Sequence, residues 1–144
     1  RADNPAGYDA VILGSALYYF RWLKEATGFV RRHRDVLAQR PVWLFSSGPL
    51  GTATIDERGN NVRAAAGPKD LAELQSAIAP RDHRVFFGAF DPQSAPVGFL
   101  ERVVRLLPAA RAAFPVGDFR DWREIEAWVG DIACALAPVP AAQA

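Results

Sequence analysis

The sequence predicts an α/β protein in which a parallel sheet carries helices on both faces. Short apolar runs, rich in β-branched and aromatic residues, alternate with longer segments in which apolar residues recur at helical spacing. Turns of small residues follow the apolar runs, as they do where buried strands end. This alternation is typical of a parallel sheet built from right-handed crossover connections.

Three short runs are the predicted strands. The first is Tyr8–Leu13, which is most apolar over Ala10–Leu13 and which we expect to end at Gly14-Ser15. The second is Val42–Phe45, and the third is Val85–Phe90. Each run is apolar enough to be buried on both faces of a sheet. The loops that follow the second and third strands are Ser46–Gly51 and Asp91–Pro96.

Four segments have the periodicity of amphipathic helices. They are Trp22–Leu37, Asp70–Ala79, Val97–Leu107 and a last helix that Asp121 can cap, with Glu124 completing a capping box. The apolar stripe predicted for the last helix consists of Ile125, Val129, Ile132 and Leu136.

The segment Gly51–Gly67 has no convincing periodicity, and loops of this length are usually functional lids or disordered. Pro80–His83 is predicted to be a turn before the third strand.

Size and composition predict one domain over residues 1–144. Half of the residues are hydrophobic and the net charge is +1, which argues against a nucleic-acid-binding arm. No apolar run approaches the roughly 20 residues of a membrane span, and there is no signal-peptide pattern. The single cysteine, Cys134, excludes an internal disulfide and favours a cytoplasmic location.

The start of the chain suggests that it belongs to a longer natural protein, because it opens at Arg1 and contains no methionine. Three strands make a narrow sheet, and the first would expose an apolar edge, which is a pairing hazard. We therefore expect a preceding β-α-β unit of roughly 30 residues beside Ala10–Leu13. An open edge could also support a homodimer.

The stretch Gly14 to Trp22 follows the first predicted strand, where open α/β sheets bind ligands. Its aromatic residues have two possible roles, packing in the core or contact with a ligand. These residues are Tyr18, Tyr19, Phe20 and Trp22.

Five segments carry a resemblance to a known family. They are Tyr8–Ala16, Phe29–His33, Val42–Gly51, Gly88–Phe90 and Gly117–Trp122. In order and spacing, the chain resembles the flavodoxin-domain proteins related to menaquinone-dependent protoporphyrinogen oxidase. The resemblance covers most of residues 8–136.

The resemblance implies a flavodoxin-like three-layer sandwich with strand order 2-1-3-4-5 and FMN at the switch point. The strands visible in this sequence would be the third, fourth and fifth. The first two strands, and the Ser/Thr-rich loop that holds the FMN phosphate, would lie outside it.

The resemblance also assigns cofactor contacts to the loops after the third and fourth strands. Carried over to this chain, the cofactor-binding residues are Ser15, Ala16, Tyr18, Tyr19, Phe20, Ser46, Ser47, Gly48, Pro49, Leu50 and Gly51. A flavin ring needs an aromatic face and backbone N–H groups at its edge. Phe20 departs from the family, whose members usually have glycine there, a residue that permits a positive φ.

In function, the resemblance implies an FMN-binding flavoprotein that transfers electrons or acts as a small oxidoreductase. Its partner would be a redox protein or a quinone, and no catalytic acid or base can be named. One alternative is a quinone-linked protoporphyrinogen oxidase, with Gly51–Gly67 as the wall of its substrate groove. A second alternative is a flavodoxin-like binding module without cofactor.

Other polar residues have simpler interpretations. A nucleophilic triad of Ser46 or Ser47 with His33 or His83 lacks the Gly-x-Ser-x-Gly elbow, and His83 precedes its predicted strand. The arginines 31, 32 and 34 form a solvated helix face or a docking patch for an acidic partner or anionic lipid. Cys134 is expected to be a small buried hydrophobe, and no spacing indicates a metal site.

Overall fold

The computed structural model of the chain describes residues 4–91 and 115–138. Its strands are β1 (Val11–Tyr18), β2 (Arg21–Trp22), β3 (Val42–Ser47), β4 (Asp82–Phe86), β5 (Ala89–Phe90) and β6 (Gly117–Asp118). Its helices are a 3₁₀ turn (Pro5–Gly7), α1 (Lys24–Arg32), α2 (Arg34–Leu37), α3 (Val62–Ala65), α4 (Leu71–Ile78) and α5 (Trp122–Leu136).

The main sheet has the strand order β2-β1-β3-β4, and its three longer strands are parallel. β2 pairs antiparallel with the end of β1 and forms a hairpin with it. Strands β5 and β6 form a separate antiparallel pair. The predicted parallel sheet is confirmed, with a short antiparallel strand added at one edge.

Helices cover both faces of this sheet. Val42 and Leu44 of β3 point to one face, where they pack with α1, α2 and α4. Trp43 of β3, between them in sequence, points to the other face and packs with α5. This alternation follows from the two-residue period of a strand. The result is the three-layer α/β arrangement that the sequence predicts.

The first strand does not end at Gly14-Ser15 as predicted, because β1 continues to Tyr18. Phe45 of the neighbouring strand lies over Gly14, where a Cβ would come within 2.0–2.4 Å of its ring atoms. Gly14 is therefore a strand residue that makes room for an aromatic ring. Ser15 is likewise a buried strand residue.

The third strand differs from its prediction at both ends. β4 begins at Asp82, within the predicted turn, and stops at Phe86. The chain leaves the main sheet at Gly88, whose N–H donates to the carbonyl of Pro49, and it then forms β5 with a different partner. The predicted run Val85–Phe90 thus belongs to two sheets.

The predicted helix Trp22–Leu37 starts later and is divided in two. Trp22 belongs to β2, and α1 begins at Lys24. A break at His33 separates α1 from α2. The helix predicted over Asp70–Ala79 is confirmed as α4.

Helix α5 is confirmed, and its buried face agrees in part with the predicted stripe, since Ile132 is buried and Ile125 packs against the same core. Asp121 caps it by accepting hydrogen bonds from two backbone N–H groups of the first turn. Trp128 and Ile132 are buried, whereas Val129 and Leu136 are exposed. The Trp128 indole N–H donates to the Asp82 carboxylate at 2.9 Å, and the Trp128 ring packs edge-on against the Phe86 ring of β4. These two contacts orient the helix.

The predictions for Cys134, for the segment Gly51–Gly67 and for the helix Val97–Leu107 have different outcomes. Cys134 is exposed on α5, so the prediction of a buried thiol is wrong. The segment Gly51–Gly67 is largely irregular, but it contains the bridge between Ile55 and Asn61 and the short helix α3. The predicted helix Val97–Leu107 lies outside the described residues. Within residues 4–91 and 115–138, no helix is both long and apolar enough to cross a bilayer.

Candidate functional site

The loops that follow β3 and β4 lie together at the carboxyl edge of the main sheet. The Gly48 N–H donates to the Phe86 carbonyl at 2.9 Å, and the Gly88 N–H donates to the Pro49 carbonyl at 3.0 Å. A Cβ on Gly48 would lie 3.1 Å from the side chain of Leu17 near the end of β1. The ends of all three parallel strands therefore meet at one edge, where ligands of open α/β sheets bind.

A hairpin with an aromatic tip rises at this edge. We call Tyr18–Arg21 the aromatic hairpin, because its ends pair as the last residue of β1 and the first of β2. The two tip residues, Tyr19 and Phe20, have φ angles of 51° and 61°. Tyr19 is 70% exposed and Phe20 is 51% exposed. Two adjacent aromatic side chains with positive φ and exposed rings are unusual, and such strained residues concentrate at binding sites.

The segment before α4 holds the aromatic hairpin in place. The Lys69 N–H donates to the Phe20 carbonyl at 2.8 Å, and the Lys69 ammonium lies 5.8 Å from the centre of the Phe20 ring. Arg21 pairs with Asp70 at 2.6 Å. The strained conformation is thus supported by a backbone bond, a cation–π contact and an ion pair.

The loop after β3 offers free backbone donors. The N–H groups of Leu50 and Gly51 have no hydrogen-bond partner among the described residues. Gly51 has a φ of 108°, a conformation that favours glycine. Free N–H groups at the same sheet edge as exposed aromatic rings suit a flat heteroaromatic ligand that has acceptor atoms at its edge.

A buried hydrogen-bond relay lies beneath the edge. The Trp22 indole N–H donates to the Ser46 hydroxyl at 2.8 Å, and Nε2 of His83 lies 2.9 Å from the same oxygen. Ser46 has no exposed surface. Ser15 is also buried, and its hydroxyl accepts from the Leu23 N–H at the start of α1. The two buried hydroxyls therefore fix the end of the hairpin and the start of the helix.

The expectation that His83 lies at the wrong end of its strand to meet Ser46 is wrong. Because β4 begins at Asp82, His83 pairs with Leu44 on the neighbouring strand, two residues from Ser46 on the same face. The contact is not a catalytic triad, since Ser46 is enclosed and its oxygen already accepts from the Trp22 indole.

An open groove of about 410 Å³ borders His83 at the β4 side of the sheet. Arg63 crosses it to pair with Glu124 at 2.5 Å, and its guanidinium also lies over the Phe87 ring. Burial lowers the pKa of His83 below its ordinary value, and the charge of Asp82 partly opposes this shift. His83 is therefore neutral at pH 7.

Among the described residues, no group of three or more His, Cys, Asp or Glu side chains is placed to hold a metal ion.

Asp118 at the end of β6 forms an ion pair with Arg120. Hydrogen bonds from Arg120 lower the pKa of Asp118 to about 2. This carboxylate is ionised at any physiological pH.

The structure places the predicted cofactor-binding residues along one edge but in different roles. Ser15 and Ser46 point into the interior, and Ala16 pairs with Ser47 near the strand ends. Tyr18, Tyr19 and Phe20 form the aromatic hairpin, and the remaining residues of the set form the loop after β3. Sequence reasoning missed Lys69, which supports the hairpin tip but carries no local signal of that role.

The structure defines an α/β protein whose predicted site residues lie at the carboxyl ends of its parallel strands. The model of a family described as the flavodoxin domain matches residues 1–104, and the chain belongs to this family. Searches of curated proteins and of solved structures found no match to the chain.

Proposed function

We propose that this chain binds the isoalloxazine ring of FMN at the carboxyl edge and serves as a flavodoxin-like redox protein, in electron transfer or as a small oxidoreductase. The observation that supports this most directly is that an exposed aromatic hairpin and a loop with free backbone N–H groups lie at the same edge of the sheet. Membership of the flavodoxin domain family favours the same cofactor.

Each part of the edge has a task that follows from its chemistry. The Tyr19 ring is the most exposed aromatic face of the hairpin and is available for stacking. The N–H groups of Leu50 and Gly51 are available to donate to the nitrogen and oxygen atoms at the edge of the flavin. When bound, the flavin supplies the redox chemistry, while the protein supplies position, stacking and hydrogen bonds.

The test is a fluorescence titration of FMN and riboflavin with the purified chain. We expect binding to quench the flavin emission. Because riboflavin lacks the phosphate of FMN, comparison of the two ligands separates recognition of the ring from recognition of the phosphate. Replacement of Tyr19 by Ala should weaken binding by about 2- to 12-fold, the equivalent of one aromatic contact of about 0.5–1.5 kcal/mol.

The matched control is Tyr8→Ala, which removes another exposed tyrosine that lies before the start of β1, away from the carboxyl edge. This variant should bind flavin like the unmodified chain. Equal weakening by both substitutions would contradict a ring site at the aromatic hairpin. Failure of both flavins to bind would instead favour a cofactor-free binding module.

A further inference from the structure

We propose that His83 is a positioning residue for the aromatic hairpin, acting through Ser46 and Trp22, and that its protonation loosens the hold on the Trp22 indole. The effect of His83 protonation on flavin binding rests on the proposed function above. The hydrogen-bond relay itself does not depend on flavin.

The hydrogen-bond capacity of Ser46 determines how the relay is arranged. A hydroxyl donates one hydrogen and accepts at two lone pairs, whereas an indole N–H only donates. Trp22 therefore donates to Ser46, and the Ser46 hydrogen needs an acceptor. The remaining hydrogen bond of this hydroxyl among the described residues joins it to Nε2 of His83. We assign His83 as the neutral tautomer with its hydrogen on Nδ1, because Nε2 is then the acceptor that the Ser46 hydrogen needs.

Protonation of His83 places a hydrogen on Nε2 and turns that nitrogen into a donor. Ser46 would then face two donors, Trp22 and His83, while its own hydrogen would lose its acceptor. A fully buried hydroxyl cannot turn to water for a replacement. The oxygen has a lone pair for each donor, so the conflict lies with the Ser46 hydrogen; we expect the hydroxyl to reorient towards another acceptor, which turns its lone pairs away from the Trp22 indole.

The Trp22 indole is well placed to pass this change to the aromatic hairpin. Trp22 follows the tip residue Phe20 by two positions and pairs with Leu17 across the hairpin. Its ring is buried in the core beneath the carboxyl edge. A change in its anchor thus acts on the base of the hairpin that presents Tyr19.

The charges that face His83 are balanced in sign. Asp82 accepts the His83 backbone N–H at 2.8 Å, and Arg84 pairs with Asp82. Across the groove, Arg63 of α3 and Glu124 of α5 neutralise each other. Burial therefore dominates, and the relay is intact at neutral pH.

The direction of the pH effect follows from the lowered pKa of His83. The stabilisation by the neutral ring is fully present above the ordinary histidine value of 6.5. It is lost as the pH falls below that value and through the lowered pKa of the folded state. The relay should therefore respond to mild acid and not to alkali.

NMR of a ¹⁵N-labelled sample without flavin tests the proposal between pH 8 and pH 5. The indole N–H resonance of Trp22, assigned by Trp22→Phe, should move with the same midpoint as the His83 ring. The amide resonances of Tyr19 and Phe20 should move with it. His83→Gln, which keeps a hydrogen-bond acceptor, should abolish the movement.

Two further variants separate the relay from nonspecific effects of pH. Ser46→Ala leaves His83 in place but removes the link, so the Trp22 indole should no longer follow the His83 titration. His33→Gln changes the other histidine of the chain, on the α1 to α2 break, and should leave the response intact. The proposal would be overturned if the indole N–H resonance of Trp22 did not move with the His83 titration. It would also be overturned if the resonance moved equally in Ser46→Ala. Intact coupling in a chain that binds no flavin would overturn only the proposed function.

Discussion

At the residue scale, the most unusual feature is the backbone of the hairpin tip. Two-residue hairpin turns with positive φ at both central positions usually contain Asn or Gly. Here the positions hold Tyr19 and Phe20, with φ angles of 51° and 61°. An L-residue pays about 1–2 kcal/mol for a left-handed conformation. The chain thus accepts strain where it presents aromatic rings, a pattern expected of a binding site.

The strain at Phe20 can be measured by comparing Phe20→Gly with Phe20→Ala. Both variants lose the ring and its contact with Lys69. Only glycine adopts the positive φ without steric cost, so it should be more stable than the alanine variant by about 1 kcal/mol in urea denaturation. Equal stability of the two variants would show that the backbone at this position is not strained. Both should weaken flavin binding relative to the unmodified chain.

Gly14 shows how one missing side chain shapes the sheet. A Cβ there would come within 2.0–2.4 Å of the Phe45 ring. Phe45 also contacts Phe86 and Trp128, so its ring has little freedom to withdraw. Gly14→Ala should therefore destabilise the protein by about 1–3 kcal/mol through overpacking, measured by urea denaturation.

Gly130 is the matched control for this substitution. It lies within α5, and a Cβ there would meet no atom of the described residues within 4 Å. Gly130→Ala should stabilise the protein by about 0.5–1 kcal/mol, because alanine loses less backbone entropy in a helix. A loss of stability in both variants would mean that the Phe45 contact is not the cause at Gly14.

At the scale of elements, a local cap sets the start of α5, and tertiary contacts set its orientation. The Asp121 carboxylate accepts from the N–H groups of Arg123 and Glu124, which have no partner within the helix. The Glu124 carboxylate pairs with Arg63. The first turn of α5 is thereby linked to α3 across the sheet edge.

Removal of the Asp121 cap should lower the stability of the whole protein. Asp121→Ala should lower the free energy of unfolding by about 1 kcal/mol in urea denaturation. Asp131→Ala removes the same side chain from an exposed position in the same helix and should change stability by no more than about 0.5 kcal/mol. Similar losses in both variants would point to a general charge effect and not to capping.

At the scale of the whole molecule, most of the outer edge of β1 has no strand partner among the described residues. Within the described residues, only Leu17 and Tyr18 pair on that side, through β2. Ile12, further back along β1, is 45% exposed. An unpaired strand edge with apolar side chains is a template for pairing with another chain.

We therefore expect this chain to self-associate through β1 in a concentration-dependent manner, as sedimentation velocity would show. Ile12→Lys should shift the distribution towards monomer, because a charged side chain at an edge opposes strand pairing. Val129→Lys introduces the same charge at an equally exposed apolar residue on α5, where no strand edge is open, and should leave association unchanged. A monomer at all concentrations would contradict pairing through this edge.

Much of the fold could be predicted from short-range signals. The alternation of apolar runs and helical periodicity predicted the parallel sheet and its two helical layers. The spacing of Leu74 and Ile78 predicted α4, and both side chains are buried. The Asp121 cap was visible because a capping residue acts on backbone groups two and three positions away. The site residues stay a prediction, although the structure places most of them along one edge.

The sequence by itself determined which segments alternate between strand and helix, because periodicity and capping act between neighbours in the chain. Only the tertiary structure decided that β1 continues past Gly14, that Trp128 and not Val129 enters the core, and that His83 meets Ser46. Each of these depends on a partner tens of residues away. Packing around Phe45, the bond to Asp82 and the register of β4 overrode the local signals.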